Sequence, residues 1–257
     1  MLRACVFLLV LTSCSTPVFY HDAVLRLAAP EILQAWDSRT WPVAQARVEV
    51  ASGDLTAVSK DLASRQPPPS AVLLGLNVPE VVVKQWKVKY PSLRVARFVP
   101  QGHSSTESSL LRVNRRANWE VLVRAAAQGQ HKTNAVALVP STAGVEEITT
   151  LRDAWRSVTG GGSLALLAAG APVPADVSDL FVLDGSSGIP SLSGSPQLRV
   201  HTGLGITVAE ARTHAGWGLR IDASAAGKAI DNVLAAGPEK IVDLPVQAVP
   251  RTVALSS

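Results

Sequence analysis

Cysteine is nearly missing from this chain. Two occur in 257 residues, Cys5 and Cys14, both close to the start. A bond between them would staple one short loop and nothing else. Beyond Cys14 there is no disulfide framework and no thiolate chemistry. The five histidines are scattered, without the spacing of a metal site. "DGSSG" (Asp184 to Gly188) is not G-x-S-x-G, and no histidine and acid follow it in a hydrolase order. "TGLGITV" opens with G-x-G, but Val208 stands where a dinucleotide-binding turn needs its third glycine. With no nucleophile, base, metal or cofactor constellation, the sequence points away from an enzyme. Long apolar runs are also lacking. "SLALLAAGAPV" (Ser163 to Val173) is too short to span a bilayer and is broken by proline.

Charge of either sign is sparse. Charged residues make up 17% of the chain against 47% apolar, the balance of a folded, core-rich protein. The formal net charge is +4. The densest basic cluster, Arg112, Arg115 and Arg116, has no aromatic interleaving, so no nucleic-acid partner is expected. The length suits one large domain or two small lobes.

The start of the chain has its own pattern. Arg3 precedes an apolar run from Val6 to Leu11, and the small residues Thr12 and Ser13 lead to Cys14. This reads as an export signal rather than a spanning helix. Leu11-Thr12-Ser13-Cys14 resembles the lipobox of bacterial lipoproteins. The resemblance implies removal of residues 1–13, acylation of Cys14, and a membrane-anchored protein facing the periplasm or cell exterior. An ordinary signal with an incidental cysteine is the other reading of the same residues.

Downstream, strand-like and helix-like stretches alternate. "PVFY", "ARVEVA", "SAVLLGL", "LRVARFV", "SLLRVN", "AVALV", "SLALLAA", "DLFVLDG" and "LRVHTG" read as strands. "PEILQAW" carries proline at a helix start, and "GDLTAVSKDLASR" offers Asp54 as an N-cap with Leu55, Val58 and Leu62 on one face. "VPEVVVKQWKVKY", "NWEVLVRAAAQG" with a cap at Asn118 and a stop at Gly129, "GVEEITTLRDAWRSV" and "DASAAGKAIDNVLAAG" complete the helices. "KIVDLPVQAV" is a last extended segment. Strand and helix in alternation predict α/β structure with a parallel sheet. "SSGIPSLSGSP" (Ser186 to Pro196) is a linker where such a repeat normally places a helix. Trp119 and Trp155 sit on helix faces as core residues; Trp36 and Trp41 could be core or stacking surfaces.

Two long stretches are similar to the type I periplasmic solute-binding fold, also the effector domain of lactose-repressor-type regulators. "LRVNRRANWEVLVRAAAQGQHKTNAVALVPSTAGVEEITTLRDAW" looks like that family's first lobe crossing with the strand, loop and helix that follow. "RIDASAAGKAIDNVLAAGPEKIVDLPVQAVPR" looks like its last crossing. The resemblance implies a two-lobed parallel-sheet domain. Its first lobe would take residues 14–111 and 222–243, and its second, abbreviated lobe 112–221 and 244–257. It also implies a small polar ligand in the interlobe cleft, and a transporter permease or a sensor as membrane partner. A degenerate binding-protein fold with a structural, interaction or sensory role is the alternative.

In open α/β sheets, ligands lie beyond the carboxyl ends of the strands. The cleft candidates are therefore Asp184, Arg115, Asn114, Asn77, His103, Ser141 and His201, with Tyr20, His21, Gln101, Thr142, Ser186 and Asp222 behind them. Asp184 ends an apolar strand, and Arg115 could pair an anionic ligand. Asp222 could instead brace the hinge, and each of the others could be a cap or a turn residue. Sugar-binding members carry an arginine four residues before the aromatic of the helix that holds Trp155. Leu151 has that place here, and Arg152 is turned about 100° away around the helix.

Overall fold

The computed structural model describes residues 16–39, 46–100, 104–128, 130, 133–185, 190, 192, 197–206 and 213–251. Cys14, Trp41, Gln101, His103, Gly129 and Ser186 lie outside the described residues, as does most of the 186–196 linker.

The first sheet is built from β1 (Val18–His21), β2 (Ala46–Glu49), β3 (Ala71–Gly75), β4 (Arg94–Pro100), β5 (Ser109–Val113) and β11 (Ile241–Asp243). Their spatial order is β2-β1-β3-β4-β5-β11, and every pairing is parallel. The second sheet holds β6 (Ala135–Leu138), β7 (Leu164–Leu166), β8 (Asp179–Val182), β9 (Arg199–Thr202), β10 (Gly216–Ile221) and β12 (Val246–Arg251). Its order is β7-β6-β8-β9-β10-β12, with β12 antiparallel to β10. Counted from each lobe's own first strand, both sheets run 2-1-3-4-5-6. This repeat of topology is invisible as residue identity.

The helices show why the first sheet reads as continuous apolar runs. α3 (Leu55–Ser64) and α4 (Glu80–Lys89) cover one face, over Val18, Tyr20, Val72, Leu74 and Val95. α1 (Ala23–Ala28), α2 (Pro30–Asp37) and α7 (Ala223–Ala235) cover the other, over Phe19, Leu73, Ala96 and Leu111. With both faces buried, a strand such as β3 needs apolar residues throughout. Local chemistry sets the helix starts. Pro30 opens α2, and the Asp54 carboxylate accepts from the Ala57 amide to cap α3.

The second sheet is covered differently. α5 (Arg115–Ala126) and α6 (Val145–Val158) pack on one face around Trp119, Leu151, Trp155 and Phe181. The opposite face, with Val136, Leu138, Leu180, Val182 and Val200, is buried under Leu192, Leu198, Val173 and Val177 from irregular chain. No α-helix lies between β7 and β10 among the described residues. The reason is plain in 167–178: Pro172 and Pro174 remove backbone donors, and Gly170 takes a positive φ of 74°. Among the described residues, the second sheet thus carries α-helices on one side only.

The chain crosses between lobes three times. It leaves the first sheet after Val113, returns at Asp222 after β10, and leaves again at Leu244-Pro245 between β11 and β12. "KIVDLPVQAV" is therefore two strands in two sheets rather than one segment.

Candidate functional site

Asn114 occupies the first crossing. Its side-chain oxygen accepts from the Ala117 amide, which makes it, and not Asn118, the N-cap of α5. Its Nδ2 donates to Asp243 at 2.8 Å, and Asp243 also receives Arg112 Nε at 2.7 Å. Those Arg112 hydrogen bonds hold the Asp243 carboxyl below the usual carboxylate range. Asp222 caps α7 through the Ser224 and Ala225 amides, and its own amide donates to the Pro245 carbonyl at 3.1 Å. Asn114 and Asp222 therefore brace the crossings.

Capping by Asn114 starts α5 three residues before Asn118. Arg115, Asn118, Trp119 and Leu122 then share its inner face, at helical spacings of three and four. The first three of them, with Val113, Leu183, Gly203, Leu204 and Leu219, line a cavity of 160 Å³. It lies where β5, β8 and β9 end, the position at which open α/β sheets bind ligands. Leu204, in the loop after β9, packs against the apolar groups of both lobes.

The two polar side chains of this cavity behave differently. Arg115 is held within its own lobe. Its Nε and Nη2 donate to the two Glu147 oxygens at 2.8 and 2.7 Å, and it also donates to Thr142 Oγ1 and the Thr142 carbonyl, both at 3.1 Å. Glu147 sits in the first turn of α6 and accepts from the Gly144 amide as well. The Arg115 bonds hold its carboxyl well below the usual range. Asn118 is 3% exposed, and its Nδ2 has no hydrogen-bond partner among the described residues. Leaving a buried donor unmet costs about 1–3 kcal/mol, and this nitrogen is closed off from the cavity space.

The other candidates are dispersed. Asp184 is half-buried one residue beyond the cavity-lining Leu183, on the same lobe as Arg115, so the two do not face each other across a cleft. Asn77 and Ser141 are exposed after β3 and β6. Thr142 serves Arg115. His21 is buried, its Nδ1 3.3 Å from the Asp22 carbonyl. Tyr20 is buried under α3 and donates to Asp61 at 2.6 Å. His201 corrects the expectation most clearly. It lies inside β9 rather than beyond it, is fully buried, and bonds Asp179 at 2.8 Å away from the strand ends that form the cavity. Leu151 is in the second core, and Arg152 donates to the Leu164 carbonyl, so neither supplies the missing arginine.

Sequence reasoning took Asn118 as a cap. The usable signal was its place on the same stripe as Trp119 and Leu122, where a polar side chain needs a reason to be buried. Among the described residues, no cluster of three or more His, Cys, Asp or Glu side chains could hold a metal ion.

Comparison with solved structures gives this geometry a frame. The arabinose-binding protein AraP from Geobacillus stearothermophilus superposes with a TM-score of 0.59 over 92% of this chain and 97% of that one, at 12% identity. The fold is that of the type I periplasmic solute-binding proteins. An ABC-transporter solute-binding protein from Conexibacter woesei matches this type I fold with a TM-score of 0.58, at 10% identity, over 93% of this chain and 89% of that one. The LacI-family regulator CCPA from Weissella paramesenteroides, solved with bound sucrose, matches at 0.57 and 13% identity, over 93% and 98%. These neighbours are binding proteins and transcriptional regulators. No protein-family model and no curated protein sequence matches the chain.

Proposed function

We propose that this protein is a lipid-anchored, extracytoplasmic solute-binding protein that captures a small polar ligand between its lobes for import. One observation carries the reading: a cavity at the carboxyl ends of the strands, beside the lobe crossing, lined by Arg115, Asn118 and Trp119. The solute-binding neighbours support the same role. The lipobox-like Leu11 to Cys14 supports the anchor, and a transporter permease is the partner such a role requires.

A second reading has observations in its favour. Arg115 is held by Glu147, and the cavity is small for a standard sugar site. Both suit a binding-protein fold turned to an interaction or sensory task at the membrane. A thermal-shift screen of sugars, nucleosides and amino acids, with calorimetry on any hit, separates the two. The solute-binding reading expects a hit that Asn118→Leu weakens. A screen without hits favours the interaction reading.

The anchor is tested separately. Metabolic labelling with a clickable fatty acid should mark the wild type and miss Cys14→Ala. Equal labelling of both would show that Cys14 is not acylated.

A further inference from the structure

The lipid anchor proposed above fixes more than a location, because its tether is short. Only Ser15, Thr16 and Pro17 separate Cys14 from Val18, the first residue of β1. Four residue steps reach at most ~14 Å, less than the ~23 Å length of the seven-residue β4. Every strand of the first sheet runs parallel to β1, so all six begin at the edge where the tether enters. The second lobe and the cavity lie at the opposite, carboxyl end, where the chain crosses after Val113 and Asp243.

That entry edge has its own chemistry. It is made of the turns that lead into the strands, 66–70, 90–93, 107–108 and 237–240, together with 40–45, which contains no charged residue. Arg65 is ion-paired with Asp61, and Lys87 with Glu107. Lys89, Arg94 and Lys240 are exposed and have no ion pair among the described residues, against one exposed acid, Glu239. Arg94 also lines a notch of 170 Å³ with Lys87, Pro91, Glu107, Gly237 and Pro238. Beside it, the Lys89 ammonium stands 5.3 Å from the centre of the Tyr90 ring, a pairing of cation and aromatic that suits a membrane interface.

We infer that this edge is a docking surface for anionic lipid headgroups. The protein stands on its own anchoring bilayer with the first lobe down and the cavity turned away. Two observations meet here. The tether delivers the edge to the headgroups, and the edge carries an excess of cations where they lie. The same tether is too short to bring the carboxyl ends of the strands round to that bilayer. The inference rests on the lipid anchor and not on which solute the cavity takes.

With Cys14 acylated, the mature chain has no free thiol, so one introduced cysteine takes a dye alone. Ser92→Cys marks the entry edge. Ser157→Cys, exposed near the end of α6, marks the far pole of the second lobe. The acylated protein is placed in vesicles of phosphatidylcholine and phosphatidylglycerol that carry a headgroup nitroxide quencher. The Ser92 dye should lose most of its emission and the Ser157 dye almost none. Lys89→Gln, Arg94→Gln and Lys240→Gln should each lower the ratio of docked to undocked protein by about fivefold. Vesicles of phosphatidylcholine alone should weaken the Ser92 quenching of the wild type as well. Equal quenching at both positions overturns the orientation. Ser92 quenching that is the same without phosphatidylglycerol and in the triple variant overturns the headgroup surface and leaves the anchor standing. If the thiol dye labels Cys14 in the wild type, the anchor is missing and the inference falls with it.

Discussion

Asp179→Ala should lower the Tm by about 10 °C, a loss of roughly 3–5 kcal/mol. Asp179 begins β8, at the opposite end of the second sheet from the cavity, and is completely buried. It accepts from Ser178 Oγ at 2.6 Å and from His201 Nε2 at 2.8 Å, and it is ion-paired with Arg199. The proton on His201 follows from its other neighbour. The Trp217 amide donates to Nδ1 at 3.2 Å, so Nδ1 is an acceptor and the single proton of a neutral ring sits on Nε2. Truncating Asp179 leaves that N–H and the Arg199 charge without their acceptor. Asp179→Asn, which keeps one acceptor oxygen, should cost clearly less. A melting temperature for Asp179→Ala within 2–3 °C of the wild type would show that the network carries no such weight.

The same network makes stability depend on pH. Burial, opposed by the bond to Asp179, holds His201 below its ordinary value. The unfolded chain therefore takes up the imidazole proton before the folded one does. Stability is complete above about pH 6.5 and falls on acidification below it, by at most ~1.4 kcal/mol per pH unit for one proton. For Asp179, burial pushes the carboxyl up, but the bonds from His201, Ser178 and Arg199 outweigh it and leave it low. Its contribution is lost only below about pH 4, as the pH falls through the folded value. Melting curves from pH 7 to 5 should thus slope less in His201→Gln than in the wild type.

How much of this was legible in the sequence depended on the range of the interactions. Asp54, Leu55, Val58 and Leu62 specify α3 through contacts within a turn or two, and the helix runs from Leu55 to Ser64. The parallel sheets followed from runs such as "AVLLG", because burial on both faces leaves a one-dimensional trace. β10 left none: "GWGLRI" carries two glycines and one β-branched residue, which is poor strand composition. α1, six residues long after the Asp22 cap, was also too short for a periodic signal. The site was harder still. "DLFV" and "RVHT" each place a polar residue in a strand, but only register brings Asp179 and His201 together, with Asp179 opposite Arg199 and Phe181 opposite His201. Likewise Asn118 becomes a cavity residue only once Asn114 takes the cap and fixes the rotation of α5.

Gly216→Ala should be as damaging as Asp179→Ala, for a reason of space rather than charge. Gly216 opens β10 against β9, and a Cβ built there would lie far inside contact distance of the Val200 carbonyl oxygen and carbon. Both are backbone atoms, so no rotamer change relieves the overlap. The strands must separate instead, and that strains three bonds at once. These are Val200 N–H to the Ala215 carbonyl at 2.9 Å, the Trp217 amide to His201, and Arg251 to the Val200 carbonyl. Overpacking costs about 1–3 kcal/mol and each lost hydrogen bond about 0.5–1.5 kcal/mol, so a loss near 4 kcal/mol and a Tm lower by about 10 °C are expected. Gly237→Ala is the control, because nothing lies within 4 Å of a Cβ there and its φ is not positive. It should be neutral or slightly stabilising. Because the Trp217 bond also fixes the His201 tautomer, Gly216→Ala should blunt the acid sensitivity that His201 confers. Equal melting temperatures for Gly216→Ala and Gly237→Ala would mean that β9 and β10 do not approach this closely in solution.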